Sequence, residues 1–172
     1  YVALEMDKLK MAITKLSMLA ERQLNYLLND KLNGKLPPFI NTATVGLNFG
    51  MQGIQYTATS TVAENQVLSN SVYVHSIPSN NDNQDIVSMG SNAALMAARV
   101  IENTFEVLSV HVLAVVEAVD ALNMSGRISE IPQQFYRDIR KLSAPIGQAH
   151  DDPRFKQLKK IKDYLKANNP EV

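Results

Sequence analysis

The sequence predicts an all-α fold built on long helices, and three observations predict it. Apolar residues recur at helical spacing from Leu4 to about Leu28. A longer periodic stretch runs from about Val87 to Leu122 and is apolar nearly all round between Val107 and Val119. Clusters of Asn, Gly and Pro break the pattern where helices must end.

Each element follows in order. In the first helix Leu9, Ile13, Leu16, Ala20, Leu24 and Leu27 form the apolar series, with Lys8, Lys10, Lys15, Glu21 and Arg22 mostly between them. Asn29 to Asn33 and Gly34 end it, and Pro37-Pro38 forbid continuation. Residues 30 to 49 read as a loop. A second helix is expected from near Gly50 to about Leu68; its Thr57, Thr59, Ser60 and Thr61 are indifferent helix formers, so tertiary packing must hold it. Tyr73 to Ile77 reads as extended, closed by Pro78. The long helix follows. A helix apolar on every side belongs in a large core or a subunit interface, and 172 residues offer little mass to wrap it, so an oligomer is expected. Pro132 opens a short helix through Lys141. Asp152-Pro153 gives an N-cap with proline at the first helical position, and Phe155, Leu158, Ile161 and Leu165 stripe a last helix ending before Pro170. Its lysines read as a solvated face.

Composition narrows the function classes. Hydrophobic residues make up 45% and charged residues 20% of 172, ordinary values for a globular chain with one sizeable core. Seventeen basic side chains balance seventeen acidic ones, which argues against a nucleic-acid partner. The absence of cysteine excludes disulfides and thiolate metal sites and fits a reducing cytoplasm. No charge-free apolar run of 18 residues predicts a membrane span. His75, His111 and His150 lack metal-ligand spacing, so no metal site is expected, and His111 on the apolar helix reads as a hydrogen-bonded core residue. Glu64 is a secondary candidate: a carboxylate on a helix expected to be mostly buried needs an ion-pair partner or a function.

The most informative run is Pro78-Ser-Asn-Asn-Asp-Asn-Gln-Asp-Ile-Val-Ser-Met-Gly90, with five consecutive amide or carboxylate side chains from Asn80 to Gln84 between apolar segments. Such a cluster must be solvated, cap a helix or line a polar site. As a plain surface loop it would cap the next helix through Asp85 or Ser88.

Residues 50 to 65 (Gly-Met-Gln-Gly-Ile-Gln-Tyr-Thr-Ala-Thr-Ser-Thr-Val-Ala-Glu-Asn), 75 to 80 (His-Ser-Ile-Pro-Ser-Asn) and 83 to 90 (Asn-Gln-Asp-Ile-Val-Ser-Met-Gly), with Leu-Ala-Glu-Arg-Gln at 19 to 23 and Leu-Pro-Pro-Phe at 36 to 39, closely resemble the aromatic amino acid ammonia-lyases. That family includes histidine, phenylalanine and tyrosine ammonia-lyases and the tyrosine aminomutases. The resemblance covers most of residues 1 to 123 as a family-matching core and is weak over the variable helices of 124 to 172. It implies the C-terminal part of the ammonia-lyase helical bundle, with long, near-parallel helices. It also implies a homotetramer whose active sites combine several subunits, and an aromatic L-amino acid substrate. The family's electrophile, a methylidene-imidazolone, is built from an internal Ala-Ser-Gly. None occurs here; the only Ser-Gly, at 125 and 126, follows Met124. The family's catalytic tyrosine loop and arginine motif have no counterpart either. The expectation is therefore a single helical C-terminal segment, inactive alone, of a longer lyase that forms the group outside this sequence.

In the family the amide loop faces the substrate. Gln84 falls where histidine ammonia-lyases carry glutamate. Asn80 falls where plant phenylalanine lyases carry glutamate and tyrosine lyases asparagine. Gln52 departs from the methionine of histidine and tyrosine lyases and from the lysine of plant phenylalanine lyases. By these positions Asn80, Asn83 and Gln84 together look most like the tyrosine lyases and related bacterial lyases. A neutral amide both donates and accepts, which suits a phenol or a zwitterion. The implied reaction is loss of ammonia from tyrosine to a trans-arylacrylate. A histidine lyase or a tyrosine aminomutase is the alternative within the family, and a non-catalytic oligomerisation module the alternative of another class.

Overall fold

A computed structural model describes residues 1–44, 46–146 and 154–168. Among them are helices α1 (Val2–Leu28), α2 (Asp30–Asn33), α3 (Gln52–Leu68), α4 (Gly90–Ala121), α5 (Glu130–Leu142) and α6 (Phe155–Ala167), and a 3-10 turn at Pro38–Ile40. No strand forms among the described residues; an isolated bridge pairs Ser79 with Gln84.

α1, α3 and α4 make a three-helix core. Gln55 bonds Asn25 at 3.2 Å and Asn65 bonds Ser17 at 3.2 Å, so α3 runs antiparallel to α1. Lys10 meets Met96 at 3.7 Å, and Val2 lies 3.5 Å from where a Gly90 Cβ would stand, so α4 starts beside the start of α1 and runs parallel to it. Lys162 of α6 pairs with Glu102 and Glu106 of α4 at 3.1 and 3.0 Å, and Arg140 of α5 bonds Glu117 at 2.8 Å. Leu24, Met51, Ala58, Val107, Val110, Leu113 and Ile161 fill the apolar half of the core. Each such large side chain withdrawn from water contributes roughly 1.5–3 kcal/mol.

α1 ends as its sequence requires. The Asn33 amide donates to the carbonyls of Tyr26, Leu27 and Asn29, satisfying the last turn, and Gly34 takes φ 61° to close α2. The stretch expected as loop from 30 to 49 thus contains α2 and the 3-10 turn.

Four further expectations are corrected. α1 buries Ala3, Asp7, Lys10, Thr14, Ser17, Glu21, Leu24 and Leu28, a stripe stepping by four and three. Its N-terminal half is polar: Lys10 is 0% exposed, whereas Leu16, in the apolar series, is 57% exposed. Periodicity located the helix, but within this chain much of the apolar stripe faces outward. The Val107–Val119 stretch is wrapped by the chain itself, because α1, α3 and α6 pack along α4; only Val115 there is exposed, at 41%. Tyr73 and Val74 sit in a turn rather than an extended run, closed by the His75 N–H on the Val72 carbonyl at 3.1 Å. Neither Asp85 nor Ser88 caps α4. Its N-cap is Met89 at φ −87°, ψ 35°, outside the extended geometry from which a side-chain cap reaches back. The α5 boundaries lie within two residues of those expected. The Asp152-Pro153 start of α6, His150 and Pro170 lie outside the described residues.

Candidate functional site

The segment from α3 to α4 carries the amide cluster, and its shape is built from side chains inward. At its root, Asp7 of α1 accepts from Ser71 Oγ at 2.6 Å and from the Val72 and Tyr73 backbone N–H groups at 2.9 Å each. Lys10 pairs with the other Asp7 oxygen at 2.9 Å and donates to the Asn70 carbonyl at 2.6 Å. Burial opposes the Asp7 charge, but the bonds from Ser71, Lys10 and Tyr73 outweigh it and hold the carboxyl at about 2. Farther out, Ser76 Oγ accepts from Val87 N–H at 2.8 Å and donates to the Asp85 carbonyl at 3.3 Å. Ser79 and Gln84 then exchange backbone bonds at 3.0 and 3.2 Å.

The tip carries three consecutive left-handed residues: Asn80, Asn81 and Asp82 at φ 56°, 55° and 60°. Most L-residues lose roughly 1–2 kcal/mol each there, while Asn and Asp tolerate it best. The polar run therefore has a conformational cause that composition did not reveal. The turn brings Asn80, Asn83 and Gln84 together, with Asn83 N–H on the Asn80 carbonyl at 3.1 Å. Their side chains are exposed and make no hydrogen bond among the described residues; beside them Ile86 is 90% exposed.

Gln52 stands elsewhere. It opens α3, whereas the loop follows that helix's other end. Its amide reaches Tyr56 Oη at 3.5 Å, and it lines an open recess of about 480 Å³ with Gly53, Ile54, Tyr56, Ile146 and Arg154. The recess is set by a tight elbow. Phe39 and Ile40 adopt φ 55° and 50°, the Phe39 carbonyl accepts from Met51 N–H at 3.0 Å, and a Cβ on Gly50 would stand 2.7 Å from that oxygen. No hydrogen bond among the described residues joins Gln52 to Asn80, Asn83 or Gln84.

Glu64 has the partner its sequence position demanded. Arg99 Nε donates to it at 3.0 Å, and this bond holds the exposed carboxyl below its usual range. The helix face is solvent-facing, not buried as expected. His111 lines a groove of about 530 Å³ between α1 and α4 with Ile13, Leu16, Leu19, Phe105 and Leu108; burial pushes its pKa down. No cluster of three or more His, Cys, Asp or Glu suited to a metal exists among the described residues, and none of their helices is long and apolar enough to cross a membrane.

Sequence reasoning missed the Asp7–Lys10 pair and the cluster in which Arg140 binds Glu117 and Asp120 while Tyr136 Oη donates to Asp120. The available signal was spacing: Asp7 and Lys10 lie on the same four-three series as Leu24 and Leu28.

Residues 1–141 match the model of the family described as aromatic amino acid lyase. The chain is 41% identical over 130 residues to a tyrosine ammonia-lyase of Cupriavidus metallidurans, covering 76% of this chain and 24% of that protein. It is 37% identical over 145 residues to a histidine ammonia-lyase of Geobacillus kaustophilus, covering 84% and 28%. Among solved structures, a tyrosine aminomutase from Streptomyces globisporus superposes with a TM-score of 0.90 at 38% identity, over 96% of this chain and 31% of that one. The chain thus spans less than a third of each.

Proposed function

Because the chain belongs to the aromatic amino acid lyase family, we propose that it forms part of an enzyme that removes ammonia from an aromatic L-amino acid, tyrosine first, to give the trans-arylacrylate. The family match across residues 1–141 carries the reading. The turn that groups Asn80, Asn83 and Gln84 at the matching motif supports it.

In this reading the three residues bind and orient the substrate. Each amide donates and accepts, so one side chain serves either the zwitterion or a ring hydroxyl. They break no bond. Removal of the β-proton belongs to a tyrosine base outside this sequence. A methylidene-imidazolone supplies the electrophile when present, formed from an Ala-Ser-Gly that this sequence lacks. Gln52 lies apart from the loop in one chain, so it serves the same pocket only through a neighbouring copy or a rearranged loop. The outward apolar stripe of α1, with Leu9, Leu16 and Leu19 exposed, supports burial against other helices in a homotetramer. The absence of cysteine fits work in the cytoplasm.

The test is product analysis with the complete protein on L-tyrosine, L-histidine and L-phenylalanine. The reading expects free ammonia and an arylacrylate, fastest from tyrosine. Recovery of a β-amino acid in its place would favour an aminomutase, which the likeness to the Streptomyces globisporus enzyme makes the second reading. No turnover of any of the three would leave the helical assembly module.

A further inference from the structure

We infer that Asp7 and Lys10 are positioning residues for the loop that carries Asn80, Asn83 and Gln84, acting as a buried clamp at its root; this rests on the reading of that loop as substrate-facing. Every hydrogen bond that leaves residues 71–88 for another part of the described chain ends on Asp7. The remaining bonds of the stretch are internal: His75 to Val72, Ser76 to Asp85 and Val87, Ser79 to Gln84 and Asn83 to Asn80. The loop is thus a cross-linked arm, exposed from Tyr73 to Ile86, whose direction is fixed where it leaves the core.

The clamp suits that task. Three donors converge on one carboxylate oxygen and fix two successive peptide planes, at Val72 and Tyr73. Lys10 neutralises the other oxygen and holds the preceding carbonyl, of Asn70. A carboxylate accepts all these bonds at once, whereas an amide in its place presents one acceptor oxygen and a donor that faces donors. Small shifts at the root become larger ones at the tip, and misplacing a substrate-orienting group by about 1 Å lowers turnover on the order of a hundredfold.

The test uses the complete protein with Asp7→Asn combined with Lys10→Met, which removes both charges and leaves neither buried alone. Gln84→Ala is the reference. Hydrogen exchange at the Val72 and Tyr73 amides should quicken by about tenfold or more, the loss of charge-assisted bonds, while α4 core amides keep their rates. The double variant should also shift the tyrosine-to-histidine ratio of kcat/KM, as Gln84→Ala does. Unchanged exchange at Val72 and Tyr73 would overturn the clamp. So would equal loss on every substrate, the signature of a merely structural role. If exchange quickens but neither the double variant nor Gln84→Ala alters the ratio, the substrate-facing reading is what fails, and the positioning role falls with it.

Discussion

Replacing Asp7 with asparagine tests the polar half of the core through its pH dependence. The folded carboxyl lies at about 2 against an ordinary 3.8. Nearly two pH units at about 1.36 kcal/mol each give about 2 kcal/mol of stability tied to its ionisation. A carboxyl depressed by folding stabilises above its unfolded value and loses that contribution as pH falls through its folded value. Most of the loss therefore falls between pH 4 and pH 2. At neutral pH, Asp7→Asn costs more than this figure, because Lys10, 0% exposed, keeps a buried charge with no carboxylate beside it. Urea titrations of the two proteins in steps from pH 7 to pH 2 measure the difference. The gap between their unfolding free energies should stay level down to pH 4 and then close by about 2 kcal/mol. A gap that stays constant to pH 2 would refute the argument that the Asp7 charge, rather than its shape, holds the root of the loop.

Gly50→Ala should destabilise by at least about 1–2 kcal/mol, because φ is 56° and a Cβ meets the Phe39 carbonyl at 2.7 Å. Gly53→Ala, inside α3 with nothing within 4 Å, should stabilise by about 0.5–1 kcal/mol; thermal melts compare the two. Arg140→Met leaves the buried Glu117 carboxylate without its cation and should cost about 3–5 kcal/mol by denaturant titration. Leu113→Ala should cost about 2–5 kcal/mol as a core truncation. Leu16→Ala, on the outward stripe of α1, should instead weaken assembly in light scattering with little loss of helix content.

The helices were legible because period and breakers agree. Asn33 satisfies the last carbonyls of α1 and Gly34 closes α2 through bonds their residue types make anywhere, and Pro132 falls in the first turn of α5. What periodicity does not carry is which stripe of a helix this chain covers. α1 has two usable faces, and the covered one holds Asp7, Lys10, Thr14 and Ser17 because their partners, Ser71, Asn70 and Asn65, arrive from 48 to 64 residues away. The amide run was legible as singular but ambiguous in cause, since Asn and Asp are at once polar and tolerant of left-handed backbone. Glu64 asked for a partner in its sequence, and only the packing of α3 on α4 supplied Arg99. The separation of Gln52 from the loop was invisible for the same reason. Motif order along a chain records neither direction nor distance.

The most direct measurement is kcat/KM of the complete protein on tyrosine, phenylalanine and histidine, with Gln84→Ala and Gln84→Glu alongside. The account predicts that Gln84→Ala lowers turnover and alters ring preference with the fold intact. It also predicts that Gln84→Glu moves preference toward histidine, whose imidazole pairs with a carboxylate. Unchanged kinetics on all three rings in both variants would contradict a place for Gln84 in the substrate pocket.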